Sequence, residues 1–113
     1  MNIFNPTAAQ APSSGLAAVA TLTAPTDGTR WVIESITGSC SALPTTLPAS
    51  VQIAWTDGGV NYTETYYIIT GGAFILPWPA PRRYPANQQV TVTLSALGTG
   101  IYGTIYPQAH TSH

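Results

Sequence analysis

From Ser50 to Asp57 the chain reads SVQIAWTD, with Val51, Ile53 and Trp55 at every second position and Gln52, Ala54 and Thr56 between them. A period of two marks a half-buried strand, because successive side chains of a strand point to opposite faces of its sheet. The alternation returns in VTVTLS, where Val90, Val92 and Leu94 face one way and Thr91, Thr93 and Ser95 the other. In RWVIESITGS, Trp31 and Ile33 share a face but Ile36 falls out of phase, which predicts a bulge at Glu34 or Ser35. LAAVATLTA, from Leu16, is rich in alanine, yet Thr21, Thr23 and the stop at Pro25 favour a strand there too.

Turn residues separate these runs. Asp27-Gly28 and Asp57-Gly58-Gly59 supply a side-chain acceptor and a backbone free to take positive φ, and GTG at 98–100 leads into IYGTIYP. CSALPTTLPAS, with two prolines and no sustained pattern, reads as a surface loop. In VNYTETYYIIT the loop length decides which face is buried. A two-residue loop would set Glu64 beside Ile53 and Trp55, and an unpaired carboxylate in a core costs several kcal/mol. A three-residue loop is therefore expected, with Tyr67 and Ile69 in the core and Tyr62, Tyr66 and Ile68 on an outer face beside Glu64. GGAFILPWP restarts a strand near Ala73 that is expected to end at Pro77.

Seven or eight short strands without a convincing helix define an all-β chain: an antiparallel two-sheet sandwich, jelly-roll-like or immunoglobulin-like, with an extended N-terminal arm. The expected organisation is an arm over 1–15, a β-sandwich over 16–107 and a frayed tail over 108–113. Such a chain of 113 residues suffices for one domain with a single core.

Charge narrows the function classes. Only 6% of residues are charged, against roughly 25% in an ordinary soluble domain. Three basic residues against four acids supply no field for phosphates, so no nucleic-acid partner is expected. The segment MNIFNPTAAQAPSSG has no positive n-region or long apolar run, and no later run reaches membrane-span length, so neither processing nor a membrane partner is expected. The surface is left to hydroxyls and amides, which repel neighbours weakly.

Chemistry is sparse. The two histidines, His110 and His113, lie in the last four residues, where a solvated tail is a better reading than a catalytic base or a metal pair. Asp27, Glu34, Asp57 and Glu64 are scattered, and Cys40 reads as a small apolar residue rather than a reactive thiol. No glycine-rich phosphate cradle is present, and the NYT sequon at 61–63 falls on an expected strand. No catalytic residue, cofactor or metal is therefore expected.

One segment stands apart. LPWPAPRRYP carries four prolines, two aromatic residues and two of the three arginines. Its prolines withhold N–H groups, so it could protect an edge in a loop crossing between sheets. Trp78, Arg82, Arg83 and Tyr84 are also the residue types that dominate interface hot spots, which makes them interface candidates together with Tyr62, Tyr66 and Ile68. A third reading makes Trp78 and Tyr84 a stacking platform for carbohydrate, although few Asp, Asn and Glu surround them.

Over about residues 29–106, the order RWVIESITGS, VQIAWTDGGVNYTETYYIITGGAFILPWP and NQQVTVTLSALGTGIYGTIY resembles small jelly-roll head decoration proteins of tailed phages. The resemblance is one of strand pattern and transfers no functional residue. It implies a non-catalytic structural role on a virion, most simply on the head surface after synthesis in the host cytoplasm. The implied partners are itself, as a homo-oligomer such as a trimer, and the major capsid protein or another virion protein. The alternative is a receptor- or carbohydrate-binding module of a tail or fibre, or a carbohydrate-binding domain of a non-viral protein.

Overall fold

The computed structural model describes residues 9–10 and 15–113. Their regular structure is eight strands: β1 (Ala9–Gln10), β2 (Ala18–Leu22), β3 (Arg30–Cys40), β4 (Ala49–Asp57), β5 (Val60–Ile68), β6 (Gly72–Arg83), β7 (Val90–Leu94) and β8 (Gly103–Ser112). They form two four-stranded sheets, ordered β1-β8-β3-β6 and β2-β7-β4-β5, and every pairing is antiparallel. The pairs β1·β8, β2·β7, β3·β6 and β4·β5 nest inside one another like a single long hairpin. Pairing of β3 with β8 and of β4 with β7 then joins this ribbon into two sheets. That is a jelly roll, one of the two sandwich types the strand pattern allows. Of the expected arm, 1–8 and 11–14 lie outside the described residues, while Ala9 and Gln10 pair with Ile105 and Thr104.

The core lies where the period of two placed it. Val51 and Ile53 of β4 and Val90, Val92 and Leu94 of β7 are fully buried, with Ala18, Ala20 and Leu22 of β2 beside them. Trp31, Ile33 and Ile36 all reach this core because the register of β3 shifts between Ile33 and Ser35 against both neighbours. The extra residue brings Ile36 back into phase and leaves Glu34 exposed. Asp27 builds the expected turn, its Oδ1 accepting from the Thr29 amide at 3.2 Å while Gly28 holds φ at 83°. These hydrogen bonds, the one from the Thr29 hydroxyl first, hold the Asp27 carboxyl below its usual range.

The β4–β5 register departs from expectation. Val60 pairs with Asp57, so the loop is Gly58 and Gly59 alone. Their φ angles of 60° and 81° both lie in the left-handed region, the type I′ turn whose twist suits a hairpin. Tyr62, Glu64, Tyr66 and Ile68 therefore share the inner face with Trp55, Ile53, Val51 and Ala49. Ile68 is 6% exposed, whereas Tyr67 is 66% and Ile69 81% exposed, which reverses the expected assignment. Glu64 is not an unpaired carboxylate, because Arg82 of β6 pairs with it.

Both late segments are also more ordered than expected. β6 does not end at Pro77 but runs to Arg83, with Pro77 opposite Ser35 and Arg82 opposite Ile33. Residues 78–81 have no register partner on β3, so this part of the edge bulges. The segment expected to fray instead forms the end of β8, where Gln108 to Ser112 pair with Ser35 to Arg30 and Ala109 and Thr111 are buried. Deleting residues 108–113 should therefore remove a central ladder of the larger pairing. The loss is expected to approach the roughly 5–15 kcal/mol that holds such a domain folded, so urea titration should show no cooperative transition for the truncated chain. A transition like that of the intact chain would mean the end of β8 contributes nothing.

Candidate functional site

Of the interface candidates from the sequence, Tyr66, Trp78 and Arg82 meet between the two sheets, not on their outside. β5 and β6 are edge strands of opposite sheets, and their inward side chains close the gap between them. Arg82 Nη2 donates to Glu64 Oε1, and the Tyr66 hydroxyl donates to Glu64 Oε2 at 2.7 Å. Trp78 Nε1 and Arg82 Nη1 donate to the Tyr66 oxygen at 3.3 and 3.4 Å. The Arg82 guanidinium lies 5.5 Å from the Trp78 ring centre, within cation–π range. Trp78 meets Tyr66 edge-on at 6.2 Å and 60° and packs against the core. These side chains form a latch between sheets, so each is largely committed to the protein itself.

Tyr84 is core rather than anchor. It is 3% exposed and meets Trp55 edge-on, with ring centres 5.1 Å apart. Its hydroxyl is buried without a hydrogen-bond partner among the described residues. Burial, with the nearby Glu64 carboxylate adding to it, pushes the Tyr84 phenol well above its ordinary range. Trp78 and Tyr84 therefore cannot form an open stacking platform. Of the named candidates, Arg83 and Tyr62 remain exposed, and the Arg83 Nη2 donates to the His113 carbonyl at 2.9 Å.

The groups weighed for catalysis are not assembled. Cys40 is buried, and burial raises its thiol pKa. His110 sits on β8 with Nδ1 3.6 Å from Glu34 Oε2. Among the described residues, no three His, Cys, Asp or Glu are placed to hold a metal ion.

A concave feature rich in polar groups lies on β4, β5 and β7. A groove of about 370 Å³ is lined by Ala54, Thr56, Asn61, Thr63, Gln89 and Thr91, together with Trp55, Tyr62 and Gln88. Ala54 and Thr56 alternate with the core residues Val51 and Ile53, and their partners Thr63, Asn61 and Thr91 follow the same outward phase. A small alanine on a central strand, flanked by longer side chains on both neighbours, makes the hollow. Its lining carries no charge. Hydroxyls and carboxamides each donate and accept, so the groove can satisfy a neutral ligand that does both. Trp55 and Tyr62 stack at 5.9 Å and 19° beside it. The strand pattern marked these outward positions as polar, but only the order β5-β4-β7 brings Asn61 and Gln89 to one groove.

No protein-family model matches the chain, and no curated protein matches it. Among solved structures it is similar to a family 16 carbohydrate-binding module, with a TM-score of 0.48 and 11% identity over 86% of this chain and 72% of that one. It is also similar to the carbohydrate-binding module CBM36 in complex with calcium and xylotriose, with a TM-score of 0.48 and 10% identity over 99% of each chain. A CBM4 structure follows, with a TM-score of 0.42 and 12% identity over 93% of this chain and 82% of that one. Likeness at this level concerns the path of the chain alone. That the chain is a β-sandwich follows from its own strand pairing.

Tyr84 offers a sharp check on the inner packing. Tyr84→Phe removes a buried hydroxyl that has no partner, so it should be neutral or stabilise by about 1 kcal/mol. In the native chain the raised phenol pKa means that the unfolded state loses its proton first, near the ordinary tyrosine value of about 10. Stability should be intact below that pH and fall as pH rises above it, and Tyr84→Phe should flatten the fall in melts taken across the alkaline range. A destabilised Tyr84→Phe with an unchanged alkaline slope would show that the hydroxyl is satisfied.

Proposed function

We propose that this chain is a non-catalytic binding module for a neutral carbohydrate, held across the outer face of the β2-β7-β4-β5 sheet. The observation that carries this reading is the uncharged groove over Ala54, with hydroxyls and carboxamides on both of its sides. Sugar hydroxyls act as donors and acceptors at once, and Thr56, Asn61, Thr63, Gln89 and Thr91 can answer both ways. Apolar ring faces of a sugar are matched by aromatic surface, which the exposed Tyr67 of β5 supplies on this same outer face. Titration with neutral soluble polysaccharides, xylan, mixed-linkage glucan and mannan, should reveal binding to at least one. Ala54→Trp fills the groove from an outward position, so it should weaken that binding about tenfold or more with the melt unchanged. No binding to any of the three at millimolar sugar would overturn the reading.

A second reading keeps the role that the resemblance to head decoration proteins implies: a structural virion protein on the head surface, assembled in the host cytoplasm as a homo-oligomer against the major capsid protein or another virion protein. What supports it is an apolar end of the sandwich. Leu47 is 70% exposed and, with Pro48, Ala49, Tyr67, Ile68 and Ile69, lines a hollow of about 490 Å³ that continues towards Leu43 and Pro44. Contiguous apolar surface of this kind marks docking sites. Under this reading the double change Leu47→Asp with Ile69→Asp should abolish co-sedimentation with capsids while leaving the melt within about 1 kcal/mol of the parent, since both side chains are exposed. Capsid binding that survives the double change would exclude this end as the contact.

A further inference from the structure

The four sheet edges of the sandwich are unequal. β1 offers two residues and β2 five. β6 is guarded by Pro77, Pro79 and Pro81, which carry no N–H, and by the bulge at 78–81. β5 has none of these devices. It is nine residues long, VNYTETYYI, without proline or lysine, and its one charged residue, Glu64, points inward to Arg82.

The hairpin turn fixes which backbone groups are unused. In a two-residue hairpin, the flanking pair Asp57 and Val60 exchange both hydrogen bonds, and such pairs recur at every second position. Val60, Tyr62, Glu64 and Tyr66 therefore spend their N–H and C=O groups on β4. Asn61, Thr63, Thr65 and Tyr67 direct theirs away from it, along an edge with no neighbouring strand among the described residues, and all four residues are exposed.

We propose that β5 is a self-pairing edge: two copies of this chain join β5 to β5 antiparallel about a two-fold axis at Thr65, making one continuous eight-stranded sheet. The occupant is argued from self-complementarity. A two-fold axis between residues would set outward-bonding positions against inward-bonding ones, so it must pass through a residue. An axis at Glu64 sets two carboxylates opposite each other, which destabilises a sheet. An axis at Thr63 leaves Tyr67 beyond the end of the partner's β5, beside its turn. The axis at Thr65 pairs Thr65 with the partner's Thr65 and Tyr67 with the partner's Thr63, and it brings the exposed Ile69 alongside the partner's Asn61. An axis at Tyr66 or Tyr67 also brings Tyr67 and Ile69 into the ladder but overlaps a shorter stretch of the two β5 strands, so the axis at Thr65 joins that apolar surface to the longer pairing; a strand ladder alone falls short of the roughly 1,000 Å² that a specific interface buries. The proposal does not rest on the carbohydrate reading: Asn61 and Thr63 belong to both, but the ladder uses their backbone groups and the groove their side chains.

Sedimentation velocity of the full chain at micromolar concentration tests it. The unmodified protein should run at twice the monomer mass. Thr65→Pro deletes an N–H that β4 does not use, so it should return the mass to that of a monomer with the melt retained. Thr65→Lys leaves the backbone intact and sets two ammonium groups together at the axis, and it should dissociate the dimer in the same way; it decides the outcome if the proline variant fails to fold. A monomer for the unmodified chain, a closed trimer, or a dimer unaffected by Thr65→Lys would each overturn the proposal.

Discussion

The turn at Gly58-Gly59 governs much of this molecule. Two successive residues with positive φ permit a two-residue reversal, and that reversal sets the phase of all of β5. Once the phase is set, Glu64 must face inward, and an inward carboxylate needs a cation and donors. Arg82 and Tyr66 meet that need, and Trp78 packs over both, so the second sheet is held to the first at its open side. The same phase turns Tyr67 outward and leaves the odd-numbered backbone groups of β5 at the free edge. A single added residue in this loop would exchange the two faces of the strand.

Local alternation was legible wherever a strand is buried on one side and both of its neighbours confirm its phase. Val51, Ile53 and Trp55, Val90, Val92 and Leu94, and the bulge after Ile33 could all be read in advance for that reason. Glu64 could not, because its cost depends on a partner eighteen positions away whose approach no local pattern reveals. The prolines of β6 suggested a loop, yet an edge strand has no need of the N–H groups they lack. The polar end of the chain suggested fraying, yet in QAHTS Ala109 and Thr111 fall on the buried phase of a central strand. The groove over Ala54 escaped notice because its lining comes from three strands whose adjacency is a property of topology. Aromatic residues drew attention to 76–85, where the fold consumes them.

Few charges are left over once the fold is made. Of the three arginines, Arg82 is held by Glu64 and Arg83 reaches the chain's last carbonyl. Asp27 is engaged within its own turn. The exposed faces are thus left to threonine, serine, asparagine and glutamine, with apolar surface concentrated at the end that carries Leu47 and Ile69. A surface of this kind discriminates by shape and by hydrogen-bond pattern, because long-range attraction is nearly absent.

The nested pairing carries a kinetic consequence. Only the β4–β5 hairpin closes a short loop; each further pair, β3 with β6, β2 with β7 and β1 with β8, encloses all those inside it. Each outer pair must wait for the chain to bring together residues far apart in sequence, at an entropy cost that grows with the enclosed length. All-β domains dominated by such contacts fold over about milliseconds to seconds. β8, the last strand in sequence order, sits in the middle of its sheet, between β1 and β3, so every other strand must be made before that sheet can close. Until then the inner hairpin and its unguarded edge stand exposed to every other nascent copy.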